Sequence, residues 1–487
     1  MHLSSLPAPY GIGTMGQSAR EFVKFLKKAG QTYWQILPVC PTSYGDSPYQ
    51  SFSTFAGNPY FIDLDELRGE GLLELSDYFD IDWESKPGKV NYGALYEKRY
   101  PVLRKAFNKF LSEKNSAYER FCEEEKAWLE DYALFMAIKN ANDGISWLEW
   151  DEKLKKREPV AMEEAKKNLK EDIDFWKVSQ YFFFKQWKAL RAFANENGVL
   201  IIGDLPIYVA LDSADVWSHP ELFQLNENLE PVNVAGCPPD GFSATGQLWG
   251  NPLFRWDEMA KDNYSWWTRR IGYACGIYNV LRLDHFRGFE SYFAIPYGAE
   301  DAKGGHWEKG PGMDLFNAVE AAIGRQNIIA EDLGFLTEPV KQMLEESGFP
   351  GMKVFELAFD SRDDNSVEYL PHNFKKHCVA YVGTHDNDTV QGWLATASDE
   401  DVRYAKDYLG MEDLSAGHWS MMKALWATVA DITIVQAQDL FGLGSDSRMN
   451  TPSTLGTNWA WRALPGSFDD ELAEKLSKYM KMYQRLN

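Results

Sequence analysis

The stretch Tyr278-Asn-Val-Leu-Arg-Leu-Asp284 runs through apolar and strand-favouring residues and stops on a carboxylate, continuing as His-Phe-Arg-Gly288. Two further stretches repeat the arrangement: Asn327-Ile-Ile-Ala ends on Glu331, and Cys378-Val-Ala-Tyr-Val-Gly-Thr-His ends on Asp386. Short apolar runs of this kind read as buried parallel strands. A parallel barrel gathers the C-terminal ends of its strands on one face, which is where such barrels do chemistry. Two carboxyls on one face are the minimum for breaking a glycosidic bond, and a third can hold the sugar.

The pattern extends outward from these three strands. Strand signals recur at Thr32–Pro38, Val199–Leu205, Met352–Phe359 and Ile432–Val435, with helix-like stretches at Arg20–Gly30, Gly312–Gly324, Glu338–Glu346 and Ser415–Asp431. Strand–helix alternation implies a parallel sheet covered by helices. The expected fold is therefore α/β, a (β/α)8 TIM barrel forming one catalytic unit over 1–487. Seven strands carry good signals, and the missing one is the first. Leu3–Leu6 would be its tail, so the first strand is expected to be truncated, with the natural protein beginning several residues earlier, because a barrel lacking a strand exposes its neighbours' edges. Over residues 66–195 strand signals give way to helical periodicity at Tyr92–Glu113, Ala117–Asn140 and Ala161–Glu196, a helical insertion between strands two and three. Residues 236–256, rich in Gly, Pro and aromatics, read as a long ordered loop.

Composition narrows the partners. Lys+Arg 50 against Asp+Glu 72 leaves a net charge of -22, which disfavours nucleic acid and anionic membrane and suits a neutral ligand. The five cysteines include no Cys-x-x-Cys pair, so neither a disulfide framework nor a zinc knuckle is indicated. No apolar run reaches membrane-spanning length and the first residues lack the regions of a secretory signal, which makes the cytoplasm the expected compartment. The 18 Trp serve a large core or sugar-stacking platforms, and composition does not choose between them.

At the strand ends, Arg282 lies two positions before Asp284 and so on the same side of the strand, where its charge would pair with a nucleophilic carboxylate. An isolated Asp in this setting is more often a cap or turn residue. Glu331 and Asp332 could be solvated loop charges; alternatively, burial beside Asp284 would raise the pKa of Glu331 and suit it to general acid/base work. His385-Asp386 could belong to a metal site or a triad, but no His-x-x-x-His helix or Gly-x-Ser-x-Gly elbow completes either.

With these motifs the chain resembles the 4-alpha-glucanotransferases, also called amylomaltases or disproportionating enzymes, of the alpha-amylase clan. The likeness runs from Ser5-Leu-Pro7 and Tyr10-Gly-Ile-Gly13 to Arg448-Met-Asn-Thr-Pro452 and Asn458-Trp-Ala-Trp-Arg462. It implies Asp284 as nucleophile, Glu331 as general acid/base and Asp386 as the carboxylate that binds the distorted sugar. Arg282, His385 and Asp204 would complete the sugar site. The segment 236–252 matches the family's lid, implying contacts from Asp240, Gln247 and Trp249, and the C-terminal motif adds Asn450. Gly45-Asp-Ser-Pro-Tyr-Gln50 matches the loop on the acceptor side, where Tyr49 could stack on a glucose face and Ser47 bond a hydroxyl; Tyr44 would serve an outer glucan site. The substrates implied are alpha-1,4-glucans such as maltooligosaccharides and starch or glycogen fragments. No electron or hydride moves, so no cofactor and no metal is called for. Two alternatives stay open at this point, a retaining hydrolase of the same clan and a noncatalytic glucan-binding protein.

Overall fold

The computed structural model describes residues 1–487 apart from 44, 85, 240–242, 335, 363–365 and 487. In chain order the strands are β1 (Tyr33–Gln35), β2 (Leu200–Leu205), β3 (Asn233–Cys237), β4 (Gln247–Pro252), β5 (Val280–Leu283), β6 (Ser291–Pro296), β7 (His306–Lys309), β8 (Ile328–Ala330), β9 (Gly351–Val354), β10 (Cys378–Tyr381) and β11 (Ile432–Ile434). Seven of them are parallel and neighbour one another in the order of the chain: β1-β2-β5-β8 form one sheet and β9-β10-β11 another. The Ala330 N–H donates to Pro350 O at 3.0 Å and joins the two sheets. Tyr381 Oη donates to Gln35 Oε1 at 2.9 Å, linking β10 back to β1. Chain-ordered parallel strands that curl back toward the first make an α/β barrel.

The two faces of these strands divide the apolar residues. Ile202, Ile329, Met352, Val354, Val379 and Tyr381 pack as one cluster. Leu281, Leu283, Ile328 and Ala330 join the main core with the covering helices. Period-two alternation places the polar pair Asp204 and Arg282 opposite each other in the β2–β5 register.

The chain start departs from expectation. Leu3–Ser5 is a buried 3-10 turn rather than the tail of a strand, closed by Ser5 N–H on His2 O and Leu6 N–H on Leu3 O. It is held in that form from outside: Gly13 N–H donates to Ser4 O, and Ser5 Oγ donates to Trp461 O at 2.7 Å. Beside it, Met1, Trp34, Gln35, Ile434, Val435 and Phe468 line a groove between β1 and β11.

Between β1 and β2 the described residues hold helices and no named strand, chief among them Tyr92–Leu111, Ser116–Glu124, Lys126–Ala141, Pro159–Asn168 and Lys170–Glu196. Two continuous periodic stretches of the sequence are each broken once, at Glu125 and Leu169, whose ψ of 5° and 21° leave the helical range. The apolar period survives the break because the two pieces still bury one face. Tryptophan serves the core in quantity here: Trp147, Trp187, Trp217 and Trp267 are fully buried.

Overlapping the segment read as a loop, Asn233–Cys237 and Gln247–Pro252 are strands. β3 and β4 pair as a hairpin and continue through β6 and β7 as an antiparallel sheet of order β4-β3-β6-β7. Gly236 explains why the segment reads as loop: a Cβ there would lie 2.2 Å from Gln247 O, so the close backbone approach of the hairpin requires a glycine within a strand.

Candidate active site

The centre of the site is an arginine shared by two strand-end carboxylates. Arg282 Nη1 donates to both oxygens of Asp204 at 2.8 Å and to Asp284 Oδ1 at 2.9 Å. Their register explains the first contact and the two-residue spacing on β5 explains the second. The arginine and Asp204 side chains are 5% and 1% exposed, whereas Asp284 is 25% exposed, so its carboxylate is partly open to solvent. Burial pushes the Asp204 carboxyl above the usual range, with Arg282 opposing.

Glu331 stands on the next strand. Its backbone N–H donates to Leu283 O and its own carbonyl accepts from Phe286 N–H, which ties it to the segment carrying Asp284. Its carboxylate accepts from His285 N–H at 2.7 Å and from Leu333 N–H at 2.8 Å. Burial pushes it up to about 8; Asp284 acts in the same direction, and Arg282 and the two amides act against it. A carboxyl with that value holds its proton at neutral pH and can give it away. Asp332 points to the other side, is buried, and accepts from Met352 N–H at 2.6 Å, fastening β8 to β9. It is neither a solvated charge nor part of the cleft chemistry.

Asp386 follows β10 in a turn closed by Asn387, whose Oδ1 accepts from both the N–H and Oγ1 of Thr384 at 2.9 Å. Its side chain is 49% exposed and is held by Asn450 Nδ2 at 2.6 Å and by His385 Nε2 at 3.4 Å. Arg448 donates to the Asp386 backbone carbonyl, and Asn450 N–H to that of His385. Asp386, Asn387, Arg448 and Gln247 share the wall of a cleft of about 800 Å³.

Tyr49 spans the two groups. Its hydroxyl donates to Asp204 Oδ2 at 2.7 Å while its ring stacks on His385, centroids 5.0 Å apart and planes 17° from parallel, with Trp459 at 5.8 Å. The ring expected to face a glucose is thus occupied by protein and acts as a strut between the carboxylates. Ser47 Oγ accepts from Tyr49 N–H at 3.2 Å, so it shapes the turn that delivers Tyr49. Trp249 Nε1 donates to Gln247 Oε1 at 3.0 Å, and Gln50 Nε2 reaches Asn251 Oδ1 at 3.0 Å and Trp249 O at 3.4 Å, which joins the β4 hairpin to the 45–50 loop. Asp240 and Tyr44 lie outside the described residues.

Asp204, Arg282, Asp284 and Glu331 therefore form one contiguous group, Asp386, His385 and Asn450 a second, with Tyr49 between them and Ser47, Gln247 and Trp249 at the rim. Gln50, Arg448 and Trp459 lay in motifs read from the sequence without a role; proximity to Trp249, Asp386 and Tyr49 supplies one. Among the described residues no group of three or more His, Cys, Asp or Glu side chains could hold a metal ion.

The profile of the 4-alpha-glucanotransferase family matches residues 1–466. The chain belongs to that family. It is 50% identical over 487 residues to the 4-alpha-glucanotransferase of Clostridium butyricum, covering 100% of both chains. It is 45% identical over 497 residues to that of Thermus thermophilus, covering 100% of this chain and 98% of the relative. Among solved structures, the amylomaltase from Streptococcus agalactiae in complex with acarbose superposes with a TM-score of 0.96 at 42% identity, covering 100% of this chain and 99% of that one. The chain is accordingly an enzyme, a 4-alpha-glucanotransferase of the amylomaltase type with the barrel fold of the alpha-amylase clan. Transfer of glucan segments thus prevails over the hydrolytic and noncatalytic alternatives. Among the described residues no helix is long and apolar enough to cross a membrane.

Proposed function

We propose that this glucanotransferase works by double displacement on alpha-1,4-glucans such as maltooligosaccharides and starch or glycogen fragments, with Asp284 as nucleophile and Glu331 as acid/base. Asp284 attacks C1 of the donor glucose while the Glu331 proton passes to the departing glycosidic oxygen. The covalent glycosyl-enzyme then meets the 4-hydroxyl of an acceptor, which returns its proton to Glu331 and displaces Asp284, so two inversions give net retention. The observation that carries this reading is the contrast between adjacent carboxyls. Asp284 faces a guanidinium at 2.9 Å, whereas Glu331 sits in a niche dry enough to keep it protonated.

Asp386, exposed to the cleft and oriented by Asn450, is assigned to ring hydroxyls that it grips more tightly in the flattened transition state. The β3–β4 hairpin is assigned the role of lid, and the helices between β1 and β2 that of a packed insertion. Exclusion of water by such a lid lets a sugar hydroxyl, rather than water, take the intermediate. None of the five cysteines is joined in a disulfide, which suits a reducing compartment, and we place the enzyme in the cytoplasm.

Incubation with maltotriose tests the reaction. Glucose and longer maltooligosaccharides should accumulate while the number of reducing ends stays constant. A rise in reducing ends proportional to turnover would overturn transfer as the main outcome.

A further inference from the structure

The residue after the nucleophile has no role in the scheme above, yet it touches both halves of the machinery. His285 adopts φ 51° and ψ 49°, a left-handed conformation that is uncommon outside glycine, although histidine, like asparagine and aspartate, enters it more readily than most residues. Backbone held in such a region persists only where its surroundings over-determine it. Here three contacts do so. The His285 N–H donates to Glu331 Oε2 at 2.7 Å. The imidazole meets the Trp249 indole edge to face, centroids 4.9 Å apart and planes at 89°. On another side the ring rests against Gly288, where a Cβ would lie 2.9 Å from His285 Cδ2. The bare backbone of Gly288 thus provides the seat of the ring.

Trp249 belongs to β4 of the hairpin and is tethered through Gln50 to the 45–50 loop. An imidazole wedged between the hairpin and Gly288 resists rotation about its own backbone, and that backbone carries the amide on Glu331. Burial pulls the imidazole down to about 4, so it packs as a neutral ring; Asp284 opposes that shift and Arg287 favours it. The charged groups acting on Glu331 itself are Arg282 of β5 and Asp284, the residue after that strand.

We infer that His285 is a positioning residue that couples the seating of the β3–β4 hairpin to the alignment of Glu331. The hairpin presses on the imidazole through Trp249, the imidazole is braced by Gly288, and the main-chain amide of His285 is thereby held on the acid/base carboxyl. When the hairpin lifts, the brace is lost, Glu331 loses its amide partner and its niche admits water. The acid/base is therefore competent when the cleft is covered, which is when a sugar rather than water is poised to react. This inference rests on the assignment of Glu331 as acid/base.

The test compares His285→Ala, His285→Phe and Trp249→Leu in the full-length enzyme with maltotriose as substrate. His285→Ala should lower kcat by about tenfold or more with a KM change below about threefold, since alignment rather than ground-state binding is lost. The basic limb of its pH–rate profile should move toward acid by about one pH unit as Glu331 becomes hydrated, because burial is the larger cause of its raised value and outweighs the lost amide, which alone would act the other way. His285→Phe, which keeps a ring edge against Trp249, should recover most of kcat and the wild-type limb. Trp249→Leu, a change on a hairpin outside the buried core, should move the limb in the same direction, and it carries the test should His285→Ala not fold. Combining Trp249→Leu with His285→Ala should cost no more than the worse single change, because both break one coupling. An unmoved basic limb, a Phe variant no better than Ala, or additive losses would overturn the inference. Glu331→Gln separates the two levels: its inactivity beside an unmoved limb in His285→Ala removes the coupling alone, whereas an active Glu331→Gln enzyme removes the assignment beneath it.

Discussion

The two halves of the site are built on opposite principles. On one side, Asp204, Arg282, Asp284 and Glu331 project from β2 and β5 and from the end of β8, with the shared guanidinium almost wholly removed from solvent. On the other, Asp386, His385 and Asn450 stand on turns, with the carboxylate half exposed and held by the adjacent His385 and by Asn450 from a distant loop. The first half obtains its chemistry from desolvation, which strengthens every charge interaction and pushes Glu331 up to about 8. The second obtains recognition from adaptable contacts in water, where each charge pair contributes little. Rigid strand ends suit bond-making groups that tolerate little misplacement; loops suit a surface that must admit and release a polymer.

This contrast can be broken most sharply at Asp284, the proposed nucleophile. Asp284→Asn should lower turnover by about four orders of magnitude or more, since it deletes a covalent step, while the far-UV circular dichroism stays that of the wild type. Survival of substantial activity would take Asp284 out of the mechanism.

The buried half should also respond in stability. Arg282→Met leaves Asp204 and Asp284 without their cation, and a change of this kind costs about 3–5 kcal/mol. Urea unfolding at neutral pH should show the loss as a lowered midpoint at unchanged slope. A midpoint within experimental error of wild type would mean that the guanidinium is not the keystone of this half.

Glu331 sharpens the comparison through pH. Its folded value lies above the ordinary glutamate value, so between about 4.5 and about 8 the folded state holds a proton that the unfolded chain has released. Stability therefore falls as pH rises through that window and levels off above it. Glu331→Gln removes the titration at the cost of one backbone N–H bond that its amide nitrogen cannot accept, so its Tm relative to wild type should rise from pH 5 to pH 9. A difference independent of pH would show that the niche does not disfavour the charged form.

The smallest effect is expected in the outer half. Asn450→Ala removes one hydrogen bond to Asp386 in a solvated setting and should lower kcat/KM by about tenfold. The urea midpoint should not move. A stability loss comparable with that of Arg282→Met would erase the distinction between the halves.

Legibility in the sequence follows the same division. The parallel strands were readable because an apolar run and its closing carboxylate are local, and Arg282 could be placed beside Asp284 because strand geometry requires it. The paired strands β3 and β4 were not readable as strands, since Gly236 is demanded by the partner backbone rather than by its own neighbours. Leu3–Ser5 was misread for a related reason: its turn is imposed by Gly13 and by Trp461, far along the chain. Tyr49 invited a stacking role because an exposed tyrosine and a strut look alike until Asp204 and His385 are found against it.

What the sequence determined by itself, then, is the barrel class, the three acidic strand ends and their family likeness, because periodicity and termination are properties of consecutive residues. Tertiary structure alone decided which carboxyl keeps its proton, which tyrosine faces protein and which amide holds Glu331. Those outcomes depend on desolvation and on partners 46, 64 and 155 positions apart for His285–Glu331, Asp386–Asn450 and Tyr49–Asp204. Burial is a property of the assembled core, and no window of neighbouring residues encodes it.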